Sequence, residues 1–475
     1  MEERFETKQR EFRFLAKEYQ AHPELFAQPG FIEDAETLGE FGIYIPGKES
    51  CPAGLPKLWP EDFIVEEQMR NGGSSVSAAS VAPASEGQTV YATLVKCGLS
   101  TIEVVEDIAK TLGIRVEDVA YAGIKDKDAI TAQAISLRRT SADKVAQVKT
   151  QHFFLKDIRS GQGVVEKGGL TGNRFTIFVR TEKSFFEEKQ GVIFSEKLKV
   201  LQEYGFYNFF YLQRFGTPRL HNFAWARQIL RGEYEAAVRD IIAFEGVREL
   251  PYFKQIRRTM DGLFGRWDEI QKFIDPLPLM FRHEHRLISY LAKHPGDYAG
   301  ALGAIPEQIT LWMYALASLL FNQYISDCLM RGEEPPPQLP FFLAREPAAH
   351  EPYKEMLKNL GIYPPQFQNL KPFPQVQLKL RQTPTKDRAD IRKAEVVDGG
   401  VVLEFELGKG QYATTFLSHL FNLVGGKIPD TFTKTRLDTK VVLGEGSLAP
   451  VLEAFAEAIH PKSDNAFDIL LEKGE

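Results

Sequence analysis

A short apolar run that breaks into four alternating charges and resumes as a second run constrains this chain most: Val119 to Arg139, VAYAGIKDKDAITAQAISLRR. Val119, Ala120, Tyr121, Ala122 and Ile124 suit a buried strand, and Gly123 lets the backbone approach a neighbour closely just before the charges begin. The stretch from Ala129 to Leu137 alternates small or polar with apolar residues and ends in Arg138 and Arg139. Strand, charged turn, strand is the expected order. The turn then presents Lys125, Asp126, Lys127 and Asp128 from a rigid support, the placement that suits a working carboxylate. On the four charges alone, a solvated hairpin tip is the better explanation.

The 475-residue chain is long enough for two or three domains, and 43% hydrophobic with 26% charged residues is an ordinary globular balance. No apolar run approaches the roughly 20 residues of a membrane span. The opening MEERFETKQREFRF is charged where a secretory signal needs an apolar segment, so a cytoplasmic protein without a membrane partner is expected. Cys51, Cys97 and Cys328 are unpatterned and expected to be buried, reduced packing residues. The net charge of −6 argues against coating nucleic acid by bulk charge. Between Lys125 and Arg180, however, eleven Lys or Arg face five acids, a local basic region beside the turn.

In LPKLWPEDFIVEE the strand period places Phe63, Val65 and Glu67 on one face and Ile64 and Glu66 on the other. Residues 71–88, rich in Ser, Ala and Gly, read as a flexible loop. Ser100 or Thr101 caps a helix whose Ile102, Val105, Ile108, Ala109 and Leu112 fall at helical spacing, with Gly113 past its end. Leu170 to Arg180 reads as a strand. AWARQILRGEYEAAVRDIIAF and ITLWMYALASLLFNQYISDCLM read as amphipathic helices. His283 and His285, two apart, have the wrong separation for one helix face and suggest no metal site. Residues 335–340 and 364–374 are Pro-rich connections.

The string A-G-I-K-D-x-x-A-I-T-x-Q, carried by Gly123, Lys125, Asp126, Ala129, Thr131 and Gln133, resembles the signature of the TruD family of tRNA pseudouridine synthases. Four further clusters are similar to that family, in the family's order along the chain. The first is the D-F-x-V-x-E of residues 62–67, and the second the G-N-x-F at Gly172, Asn173 and Phe175. The third, GFYNFFYLQRFG, matches at Asn208, Phe210, Gln213, Arg214, Phe215 and Gly216, with Tyr207 and Tyr211 departing from the pattern. Val401 to Leu417 resembles the closing motif at Gly410, Ala413 and Thr414, while Gly408, Gln411, Ser418 and His419 depart from it.

The resemblance implies an α+β fold: a pseudouridine-synthase-like catalytic domain with a mixed, largely antiparallel sheet, interrupted by an inserted α/β TRUD-type domain. The implied divisions are an N-terminal extension (1–48), a first catalytic segment (49–204), the insertion (205–385), a second catalytic segment (386–424) and a C-terminal extension (425–475). It implies Asp126 as catalytic residue, with Phe63, Lys125, Gln133, Asn173, Phe175, Arg214 and Tyr412 binding substrate. An amide at Asn173 offers the donor and acceptor that a uracil edge requires, and aromatic rings stack on an extruded base.

The implied reaction moves the C1′ bond of a uridine from N1 to C5 without redox change, so no cofactor and no metal are expected. A carboxylate serves by attack at the sugar carbon or by taking a sugar proton. The implied partner is RNA, with tRNA uridine 13 the family's common target. Two other readings stay open: an RNA-binding protein that keeps the fold without catalysis, and a nuclease holding magnesium on Asp126 and Asp128.

Overall fold

A computed structural model describes residues 2–70, 72–78, 87–182, 189–341 and 350–465. Alternating apolar residues build a nine-stranded sheet from strands that lie far apart in the chain. Its main strands are β1 (Phe63–Met69), β2 (Thr89–Cys97), β3 (Val119–Tyr121), β4 (Ile130–Arg138), β5 (Phe153–Gly161), β6 (Leu170–Arg180), β7 (Ala389–Val397) and β8 (Gly400–Gly408). Their spatial order is β7-β8-β6-β1-β4-β2-β5, with β3 pairing onto β4. All these pairings are antiparallel except β1 with β4, where Ile64 stands opposite Ile130. This central parallel junction brings the start of β1, Phe63, beside the charged turn that feeds β4.

The two faces of β1 divide as period two requires. Phe63 and Val65 join one large core, and Ile64 joins another with Val95, Cys97, Ile130 and Ala132. On the front, α2 (Thr101–Leu112) packs Val104, Val105, Ile108 and Ala109 against Leu94, Ile135 and Leu137. Ser100 caps this helix in a reciprocal box with Glu103, and Gly113 at φ 66° ends it. Ile102, expected on the packed face, is exposed; Val104 occupies the core instead.

The back face is closed by the end of the chain, not by a separate appendage. Leu448, Val451, Phe455, Ala458 and Ile459, around α6 (Ala449–Ala454), cover the sheet. Lys440 is buried there, its ammonium 3.2 Å from Glu66 and 3.0 Å from Glu445. Arg174 completes the group at 2.8 Å from Glu66. Residues 466–475 lie outside the described residues.

Of the loop expected over 71–88, residues 71 and 79–86 also lie outside them. Residues 72–78 are held rather than free: Gly72 and Gly73 pair with β1, and the Val76 N–H donates to Glu66 at 2.7 Å.

The chain leaves the sheet through Phe206–Tyr207, which pair with Lys386–Asp387 where it returns. Between these points lie helices including α3 (Asn222–Leu230), α4 (Arg282–Leu291) and α5 (Pro306–Met330), with a second two-stranded pairing of Gln338–Phe341 to Arg381–Pro384. The first expected helix is broken in two at Gly232, φ 78°. Residues before 49 are tied in by several contacts. Within α1 (Glu2–Ala21), the Glu11 carboxylate accepts from the Leu279 and Met280 N–H groups at 2.6 and 3.0 Å. Phe31–Glu33 pairs with Leu423–Gly425. Cys51, Cys97 and Cys328 are buried and unbridged.

Candidate active site

The turn between β3 and β4 is fixed from beneath by buried polar groups. Gln133 on β4 donates to the Gly123 carbonyl at 3.0 Å and accepts from the Thr101 hydroxyl at 3.0 Å. That same Thr101 oxygen accepts the Lys125 N–H at 2.9 Å. Lys96, facing forward from β2, donates to the carbonyls of Asp126 at 2.6 Å and Leu99 at 2.9 Å. Burial pushes the Lys96 ammonium down to about 8, against the pull of the nearby Asp126 charge. Three hydrogen bonds, one each from Lys96 on β2, Gln133 on β4 and Thr101 at the start of α2, thus set the backbone on which Asp126 stands.

The four charges of the turn separate by direction. Asp126, Lys127 and Asp128 are exposed, whereas Lys125 turns inward. Its ammonium lies 2.7 Å from Glu67 and 2.7 Å from the Asn173 amide oxygen. Sequence adjacency suggests Lys125 as the counter-charge of Asp126; the buried Glu67 carboxylate draws it away, since a buried charge needs a partner. Lys57 takes that place, with its ammonium 3.4 Å from Asp126 Oδ2 and 3.9 Å above the Phe63 ring centroid. The Asp126 side chain keeps half its surface open.

The expected substrate-binding residues divide in the same way. Phe63 meets Phe175 edge-on at 6.0 Å, and Phe175 stacks on Phe405 at 5.3 Å. Both Phe63 and Phe175 are nearly covered, and Lys57 caps Phe63, so neither is an open stacking platform here. Gln133 is wholly buried with its amide engaged, which makes it a support of the turn and not a substrate contact. Asn173 lies beside Lys125, its amide oxygen already bonded. Tyr412 is half exposed. It stands with Arg214 on the wall of a cavity of about 610 Å³ facing the inserted helices.

The sequence model described as tRNA pseudouridine synthase D (TruD) matches residues 43–336, more than half of the chain. The chain belongs to the TruD family. A relative from Thermococcus onnurineus, "Probable tRNA pseudouridine synthase D", is 31% identical over 287 residues, which cover 59% of this chain and 62% of the relative. One of the same description from Methanopyrus kandleri is 27% identical over 351 residues, covering 70% and 85%. A crystal structure assigned to a TruD from Methanosarcina mazei superposes with a TM-score of 0.64 at 23% identity, covering 81% of this chain and 97% of that one. That likeness shows the shared fold. The match to the Thermococcus relative thus spans about three fifths of its length.

Within this TruD chain, the departures from the family pattern meet their partners in space. Tyr207 donates its N–H to His419 Nε2 at 3.2 Å, and His419 Nδ1 donates to the Thr415 carbonyl at 2.9 Å. The neutral Nδ1–H tautomer satisfies both. Burial drives that imidazole down to about 4. The Tyr211 hydroxyl donates to Glu33, which Arg248 also pairs at 2.7 Å. Gln411 closes its own turn by accepting the Gly408 N–H at 2.7 Å.

Sequence reasoning alone misses Lys57 and Lys96. Lys57 stands in the LPKLWPEDF stretch, six residues before Phe63, but nothing in its spacing indicates Asp126. A charged residue at an inward position of an otherwise apolar strand is the available sign of Lys96.

Proposed function

We propose that this chain isomerises a uridine of RNA to pseudouridine, with Asp126 as the carboxylate that acts at the sugar. The observation that carries this reading is a half-open carboxylate on a backbone fixed by Lys96, Thr101 and Gln133, with the Lys57 ammonium at its side. The family and the names of the relatives support tRNA as the substrate class. Uridine 13, implied by the resemblance, is the position proposed.

Breaking the N1–C1′ bond leaves C1′ electron-poor, and a fixed carboxylate either bonds to it or takes a sugar proton. The base, still held, turns and bonds through C5, whose hydrogen leaves as a proton. Atoms and electrons balance without an external oxidant or reductant. Extruding the base from a folded RNA costs a few kcal/mol, which contacts with aromatic rings offset. Tyr412, half exposed, is open for such a contact.

The test is release of tritium from C5 of uridine-labelled tRNA by wild type and by Asp126→Asn, with EDTA present. Wild type should release it and the variant at least about a hundredfold less. Bound RNA with no release by folded wild type would overturn the catalytic reading in favour of a binding protein, and strand cleavage abolished by EDTA would favour the nuclease.

A further inference from the structure

The last described residues of the tail lie beside the candidate active site. The Lys462 N–H donates to the Leu58 carbonyl at 2.7 Å, one residue past Lys57, whose ammonium lies on Asp126. Lys462 also lines a cavity of about 450 Å³, within the range of ligand sites. None of the residues lining this cavity belongs to the nine-stranded sheet. Its walls come from the chain before residue 49 (Gln28 and Phe31), from the inserted segment (Arg248 and Phe253) and from the tail. Three cations, Arg248, Arg257 and Lys462, line it against one acid, Glu249. Arg257 takes that acid, with Nε 2.8 and 2.9 Å from the two carboxylate oxygens. One arm of Arg248 pairs with Glu33 at 2.7 Å. The other, Nη2, is shielded from solvent and makes no hydrogen bond among the described residues, on a side chain only 7% exposed. Lys462 forms no ion pair among the described residues. Burial lowers its ammonium, the Asp128 charge raises it and the Lys57 charge lowers it, so it stands in the field of the catalytic turn.

A desolvated cation without a partner is costly, and two of them lining one cavity call for an anion. A guanidinium arm and an ammonium together suit a phosphate. The bond from Lys462 to Leu58 sets that anion next to the turn where the uridine is proposed to react. Resting on the RNA reading above, we infer that this cavity binds a backbone phosphate of the substrate RNA near the target uridine, held by Lys462 and the free arm of Arg248. The tail, which lies beyond the matched residues 43–336, then takes part in substrate binding as well as closing the sheet.

The experiment uses full-length Asp126→Asn, so that turnover does not alter the ligand, and tRNA assembled from synthetic pieces in which single linkages are neutral methylphosphonates. One linkage near the target should lose about tenfold in affinity, and adding Lys462→Met should erase that penalty there and nowhere else. Arg248→Lys, which leaves a cation on Glu33 and removes the second arm, should shrink it at the same linkage. Lys462→Met should also lower the slope of log affinity against log salt by about 1, with Lys462→Arg restoring it. Because the ammonium it removes is desolvated and unpaired, Lys462→Met should melt no lower than wild type. A salt slope and a linkage pattern that Lys462→Met leaves unchanged overturn the inference. So does a lower melting point, which marks a structural ion. A rise in melting point with inorganic phosphate that Lys462→Met abolishes while the linkage pattern stays marks the site of a free anion, and overturns it too. Tritium release by wild type separates the two readings. Release without a Lys462-dependent linkage leaves the isomerase and removes this subsite; such a linkage without release does the reverse.

Discussion

Asp126 Oδ2 and the Lys57 ammonium stand 3.4 Å apart, and that ammonium also covers the Phe63 ring at 3.9 Å. One flexible side chain therefore touches both the proposed catalytic group and a proposed base-stacking ring. Lys57→Met keeps the stem and removes the charge. Because both partners are substantially exposed, its unfolding free energy should change by less than about 1 kcal/mol. Tritium release should fall about tenfold, the loss of one modest electrostatic contact at the reacting group. A variant as active as wild type would remove Lys57 from the chemistry.

The Lys125–Glu67 pair is buried, and removing one member strands the other. Glu67→Gln and Lys125→Met are each expected to lose about 3–5 kcal/mol in urea unfolding. The double replacement Glu67→Leu with Lys125→Met should recover much of that loss, because no charge is then left buried. Additive losses would show that the pair does not act as a unit.

Lys96 binds its proton less tightly in the fold, at about 8, than in the unfolded chain, near 10.4. Between those values the unfolded state holds more protons, so stability rises with pH across this window. Lys48, also depressed to about 8 by burial, contributes in the same direction. Urea midpoints measured from pH 8 to 10 should rise less steeply in Lys96→Met than in wild type. Equal slopes would mean that Lys96 titrates normally.

His419 carries the opposite end of the pH range. Its folded value of about 4 lies below the unfolded 6.5, so stability is lost as pH falls from 6.5 toward 4. A second proton on the ring would set a donor against the Tyr207 N–H. His221, likewise lowered to about 4 by burial, adds to the wild-type slope. His419→Gln should therefore be less stable at pH 7 yet flatter between pH 6.5 and 4, as read by thermal midpoints.

The period of two along β1 was enough to place Phe63 and Glu67 on one face and Glu66 on the other. Ser100 and Gly113 marked the ends of α2, and the strand, turn and strand around Asp126 were visible in local pattern. The direction of Lys125 was not, because a Lys between polar neighbours in a turn looks solvent-facing until Glu67 appears across the sheet. Lys57, Lys96 and the cavity escaped for the same reason: each exists only through contacts between segments distant in the chain. The tail from Leu448 to Ile459 shows spaced apolar residues but nothing that names the sheet face they cover.

That tail has a consequence for how the protein comes into being. β6 ends at Arg180, and β8, which hydrogen-bonds to it, begins only at Gly400. At roughly 5–20 residues per second, a ribosome holds the first strands without that neighbour for about 10–40 seconds. The inserted helices emerge in the interval, whereas Ile64, Val95 and Ile130 stay uncovered until Ile459 has been made. The sheet that carries Asp126 is thus begun before the inserted helices and completed after them. A chain that stops short of α6 exposes an apolar sheet face to its neighbours in the polysome, so residues 448–459 guard strands made well before them against aggregation.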